Sequence, residues 1–68
     1  MIGKMKLYSC IVFFHEDMKR RPVKYRKVSN IERFKKFAHS DLTGWLYFNY
    51  YDRESRQYIG RVRNEFLY

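Results

Sequence analysis

Residues 23–39 read VKYRKVSNIERFKKFAH, and the fold turns on a change of period inside them. From Val23 to Val28 the pattern alternates. Val23, Tyr25 and Lys27 point one way and Lys24, Arg26 and Val28 the other, which describes a strand with a strongly basic outer face. From Ser29 the spacing becomes helical: Ile31, Phe34, Phe37 and Ala38 fall on one stripe, with Arg33, Lys35 and Lys36 off it. Ser29-Asn30-Ile31-Glu32 fits a capping box, with the Ser29 side chain on the N3 amide and Glu32 reaching back. The expected helix runs to about His39, with Glu32 and Lys36 as a favourable i, i+4 pair.

Upstream, Lys4–Phe14 is rich in β-branched and aromatic residues. Tyr8, Cys10, Val12 and Phe14 share one face, and Leu7, Ile11 and Phe13 the other. Apolar side chains on both faces mark a central strand covered on both sides, or one partly exposed at a partner interface. The polar segment from His15 to Pro22 connects it to the basic strand.

Downstream, Asp41 to Gly44 reads as a loop, followed by a hairpin of Trp45–Tyr51 and Gln57–Tyr68 turning through Asp52–Arg56. A register with Tyr51 opposite Gln57 sets Leu46 against Val62, Phe48 against Gly60 and Tyr50 against Tyr58, giving one apolar or aromatic face. On the other face Trp45 meets Arg63, Tyr47 meets Arg61 and Asn49 meets Ile59. A ring over Gly60 would cover the gap left by its missing side chain. The order β-β-α-β-β predicts an α+β fold, a small antiparallel four-stranded sheet with one helix packed on one face. Strand order is not readable.

The 68 residues make one domain, 1–68, burying only about 60% of the surface of its unfolded chain. One cysteine cannot form an internal disulfide, so aromatic mass must supply the core: 7 Tyr, 6 Phe and Trp45 are 21% of the chain. A homodimer would enlarge so thin a core. The apolar run Leu7–Phe14 includes Ser9, lacks a small-residue cleavage site and is too short to span a bilayer, where a helix needs about 20 residues. The expectation is a soluble cytoplasmic protein with no membrane partner.

Charge is the main functional signal. Residues 19–36 hold nine basic side chains and one acid, Glu32, so this segment carries +8, equal to the formal charge of the whole chain. A solubilising surface usually mixes signs, and this one does not. The expected anion-binding set is Lys19, Arg20, Arg21, Lys24, Arg26, Lys27, Arg33 and Lys36, extended by Arg61 and Arg63 on the hairpin. Trp45, Tyr47 and Tyr51, alternating with Asn49 beside those two arginines, are candidates for base stacking or for a protein interface. The same alternation is also a common way to stabilise an exposed sheet face. No Lys/Arg-Gly-Phe/Tyr motif of the RNP type occurs.

Catalytic and metal chemistry find little footing. Cys10 and His15 have opposite parity along an extended strand, and His15-Glu16-Asp17 reads as a strand-end turn. His39 falls near the helix end, where it would meet the helix dipole. The spacing of Cys10, His15 and His39 matches no zinc pattern, and no glycine-rich phosphate loop is present. The expectation is a non-enzymatic binding protein without cofactor or metal. Its partner would be nucleic acid, DNA or RNA and single-stranded included. The alternative is a protein inhibitor or adaptor that meets an acidic or nucleic-acid-handling protein. Small phage or mobile-element proteins offer an analogy of size and architecture for that alternative.

Overall fold

A computed structural model describes residues 6–67. Lys4 and Met5 of the expected first strand, and Tyr68 of the last, lie outside the described residues. The elements are β1 (Tyr8–Phe14), β2 (Val23–Val28), α1 (Ile31–Asp41), β3 (Trp45–Asp52) and β4 (Tyr58–Arg63), with single 3-10 turns at Glu16–Met18 and Glu65–Leu67. The sheet is antiparallel with strand order β2-β1-β3-β4, and α1 covers one face. The expected α+β architecture is therefore present. β1 pairs with both β2 and β3. β1 is thus interior in strand order, but only its Cys10, Val12 and Phe14 face is covered, so the expected cover on both sides is not met.

The core lies between α1 and the sheet: Cys10, Val12 and Phe14 from β1, Val28 from β2, Phe34, Ala38 and Leu42 from the helix and its end, and Trp45 and Phe48 from β3. Phe34 meets Phe48 edge to face with ring centroids 4.8 Å apart. Burial pushes the Cys10 thiol up to about 12, so it stays protonated and acts as a small apolar side chain.

Three single-residue bulges decide which side chains reach this core. On β2, Tyr8 pairs with Val28 but Cys10 with Tyr25, leaving an extra residue around Arg26 and Lys27. Val28 is thereby turned from the expected outer face into the core. On β3, Phe13 pairs with Tyr47 and Phe14 with Trp45, so Leu46 is the extra residue. Trp45, expected on the outer face, moves to the helix side and is 1% exposed. On β4, Tyr50 pairs with Gly60 and Tyr51 with Tyr58, leaving Ile59 as the extra residue. The body of this hairpin is slid by two residues from the expected register, with Phe48 opposite Val62 and Asn49 opposite Arg61. A slip of two preserves each face. The ring covering Gly60 is Tyr50 rather than Phe48: a Cβ at Gly60 would stand 3.2–3.3 Å from Tyr50 ring and hydroxyl atoms.

The helix cap also moves by one residue. Asn30, not Ser29, is the N-cap, its Oδ1 accepting from the Arg33 amide at 3.1 Å, and the helix continues to Asp41. Leu42 N–H closes the helix on Ala38 C=O, and the chain then turns at Gly44, whose φ is +78°. A Cβ at Gly44 would fall 2.5 Å from Met18 Cγ. Gly44→Ala therefore combines left-handed strain with a displaced Met18, and is expected to destabilise by about 1–3 kcal/mol in a urea titration. Met18→Ala in the same background should recover the steric part of that loss.

Asn64 locks the far end of the sheet. Its amide N–H donates to Leu46 C=O at 2.9 Å, its Nδ2 donates to Trp45 C=O at 2.9 Å, and its Oδ1 accepts from Phe66 N–H at 3.0 Å.

Candidate nucleic-acid interface

Among the described residues no helix lies over the sheet face opposite α1. Alternation, corrected for the bulges, puts Ser9, Ile11 and Phe13 of β1 and Tyr47, Asn49 and Tyr51 of β3 in its middle. Lys24 and Arg26 stand on the β2 edge, and Tyr58, Arg61 and Arg63 on the β4 edge. These open-face strand positions include four cations and, among the described residues, no acid. Three interstrand spacings of about 4.8 Å separate the two edges by about 14 Å. The face is thus a half-buried aromatic and amide strip between two cationic borders.

Tyr47 organises one half of the strip. Phe13 stacks on it at 4.8 Å between centroids with 23° between planes. The Arg61 guanidinium lies over the same ring at 4.3 Å. β1 and β4 flank the Tyr47 end of β3 on opposite sides, so these two groups cover opposite faces of the ring. Arg61 is fixed a second time by its Nε–H, which donates to Asn49 Oδ1 at 2.9 Å. One of the five guanidinium donors is thereby used and the Nη donors remain, held in a fixed orientation. Tyr47, expected as a stacking surface, is instead the support of an arginine fork. Phe13 and Asn49, which complete it, were missed from sequence. The signal for Phe13 was present in the second apolar face of β1.

The remaining expected site residues separate. Arg20 folds back over the Phe14 ring at 4.2 Å, at the loop end of the sheet with exposed Lys19 and Arg21. Arg33 and Lys36 are exposed on α1, on the far side of the sheet. Lys27, beside the β2 bulge, and Arg33 rim a notch of about 410 Å³ floored by Tyr25, Phe34 and Phe37. Trp45 belongs to the core. The +8 segment is therefore spread over a loop, one edge strand and a helix, and only Lys24 and Arg26 from it share a face with Arg61 and Arg63.

His15 caps the first 3-10 turn, its Nδ1 accepting from Asp17 N–H at 3.3 Å, in line with the strand-end turn expected. His39 packs edge to face on Trp45 at 5.2 Å and on Phe66 at 5.0 Å. Among the described residues no group of three metal-ligating side chains comes together, and no helix is long and apolar enough to cross a membrane. Comparison with family models, curated proteins and solved structures finds no match to this chain.

Proposed function

We propose that this protein binds single-stranded nucleic acid across the open face of its sheet. The observation that carries the reading is the set of open-face strand positions, which holds no acid among the described residues and places Lys24 and Arg26 on one edge and Arg61 and Arg63 on the other. Phosphates meet the borders, and bases lie over the aromatic and amide strip between them. An open sheet suits a single strand because its unstacked bases can lie flat against side chains, as a duplex's cannot. Arg61, already immobilised on Tyr47 and Asn49, loses little freedom on binding.

Salt is the test. Four phosphate contacts on a single strand give a log–log slope of about −2.8, so raising salt from about 50 to 200 mM should weaken binding about 50-fold. Fluorescence anisotropy with a labelled oligonucleotide measures this, with a duplex of the same sequence as the weaker comparator. Failure to bind at low salt, or affinity indifferent to salt, overturns the reading.

A second reading, an adaptor for an acidic protein segment, has one observation in its favour. β2 is an edge strand, and the notch beside it joins an aromatic floor to the Lys27 and Arg33 charges. Capture of a protein partner that survives nuclease and is lost in Phe37→Ala distinguishes it.

A further inference from the structure

A groove of about 1120 Å³ opens at the hairpin end of the open face, with Ser9, Ile11 and Tyr51 among its lining. Around it stand Lys6, Lys24, Arg26, Arg53 and Arg56, against two acids, Asp52 and Glu54. Five cations against two acids leave an excess of three. Elsewhere on this face the cations border the strip from two edges about 14 Å apart. In the groove they line one volume, where the field of each adds to that of the others.

The groove's wall is held by its own hydrogen bonds. Arg53 N–H donates to Leu7 C=O at 3.2 Å, tying the segment before β1 to the hairpin turn. Arg56 N–H donates to Asp52 C=O at 2.7 Å, and Asp52 Oδ1 accepts from Glu54 N–H at 2.9 Å. Asp52 is thus committed to the turn. The Glu54 amide, with help from Ser55 and Lys6, holds its carboxyl below the usual carboxylate range. Lys6 Nζ stands 3.8 Å from Asp52 Oδ2. The Tyr51 ring, half-buried and steadied edge to face by Tyr58 at 5.6 Å, offers an aromatic surface beside the charges.

We infer that this groove is a subsite for a nucleoside polyphosphate, its phosphates among Lys6, Lys24, Arg53 and Arg56 and its base against Tyr51. An internal phosphodiester carries one charge, whereas a terminal di- or triphosphate concentrates several in the volume these cations line. The inference rests on the strand-binding reading for the kind of anion. Its source is either a free nucleotide or the 5′ end of a strand lying across the face.

Calorimetry with the intact chain separates the possibilities. The probes are ATP, AMP, inorganic tripolyphosphate, and one short RNA oligonucleotide bearing either a 5′-triphosphate or a 5′-hydroxyl. ATP should bind about tenfold more tightly than AMP and than tripolyphosphate, and the triphosphorylated oligonucleotide about tenfold more tightly than its hydroxyl form. Arg56→Gly is the chosen variant because Arg56 has φ +66°, which glycine adopts without strain, so the turn survives the loss of the cation. Arg53→Gln with Arg56→Gly should abolish the preference for triphosphate and leave the hydroxyl oligonucleotide's affinity unchanged. Equal affinity for the two oligonucleotides together with equal affinity for ATP and AMP overturns the inference. A triphosphate preference that persists in the double variant also overturns it. Tripolyphosphate binding as tightly as ATP overturns the role of the base. ATP binding that depends on Arg56, with no binding of the hydroxyl oligonucleotide, leaves the groove standing and removes the open-face reading instead. An oligonucleotide preference without an ATP preference assigns the groove to strand ends, and the converse assigns it to free nucleotide.

Discussion

Trp45→Ala is expected to cost this protein about 3–5 kcal/mol of folding stability. The indole is 1% exposed and packs on Phe48 at 5.6 Å between centroids and on His39 at 5.2 Å. Truncating a buried Trp to Ala costs about 3–5 kcal/mol, since surrounding side chains refill such a volume only in part. At about 0.05–0.15 kcal/mol per residue, a chain of 68 residues has roughly 3–10 kcal/mol in total. The substitution removes roughly 30% of that at the least, and all of it at the lower bound. Trp45→Phe should behave differently. Trp45 Nε1 is buried and, among the described residues, has no hydrogen-bond partner, and leaving such a donor unpaired costs about 1–3 kcal/mol. Phenylalanine removes that donor while leaving a smaller void, so the net loss should stay below about 1.5 kcal/mol. Urea denaturation followed by circular dichroism measures both variants. A Trp45→Ala protein with near-native stability would mean that the indole is not a core element.

That expectation could not have been made from sequence, and the reason is physical. Trp45 alternates with Tyr47, Asn49 and Tyr51, and strict alternation assigns it to their face. One extra residue at Leu46 reverses the assignment. A bulge leaves no compositional mark here: Leu46, Ile59 and the Arg26-Lys27 pair are ordinary strand residues. Periodicity therefore gave the number, type and order of the elements, and the faces within each unbroken run, but not the parity across a bulge. The shifted cap has a similar cause, because Ser29 and Asn30 both cap well and only backbone geometry chooses between them. Strand order was not legible, because apolar faces report what covers a strand from above and below, not which strands pair with its edges.

Charge was legible as a quantity and not as a surface. Nine cations adjacent in sequence occupy a loop, a strand and a helix that face different ways. The positions that come together instead are distant in sequence. Lys24 and Arg26 share a face with Arg61 and Arg63, and Lys6 shares a groove with Arg53 and Arg56. Antiparallel pairing across β1 and β3 is what joins them, so only the strand order made this arrangement visible.

The second large effect is expected at Arg61, and a graded series separates its charge from its orientation. Arg61→Ala removes a guanidinium already held on Tyr47 and Asn49, and with it a charge-assisted phosphate contact of about 1.5–3 kcal/mol. Affinity for a single-stranded oligonucleotide should fall roughly 10- to 150-fold at low salt, and the log–log salt slope should shrink by about 0.7. Arg61→Lys keeps the charge but has no planar fork to lie on Tyr47 and no Nε–H for Asn49. If orientation is what matters, it should lose most of what alanine loses while retaining the salt slope. Tyr47→Leu leaves the guanidinium in place but frees it, so it should weaken binding less than Arg61→Ala and at unchanged slope. Tyr47→Phe keeps the ring under Arg61 and should bind as the parent does. Anisotropy titrations at two salt concentrations read affinity and slope together. Arg61→Lys binding like the parent would reduce Arg61 to a point charge, and Arg61→Ala binding like the parent would take the strand off this half of the sheet.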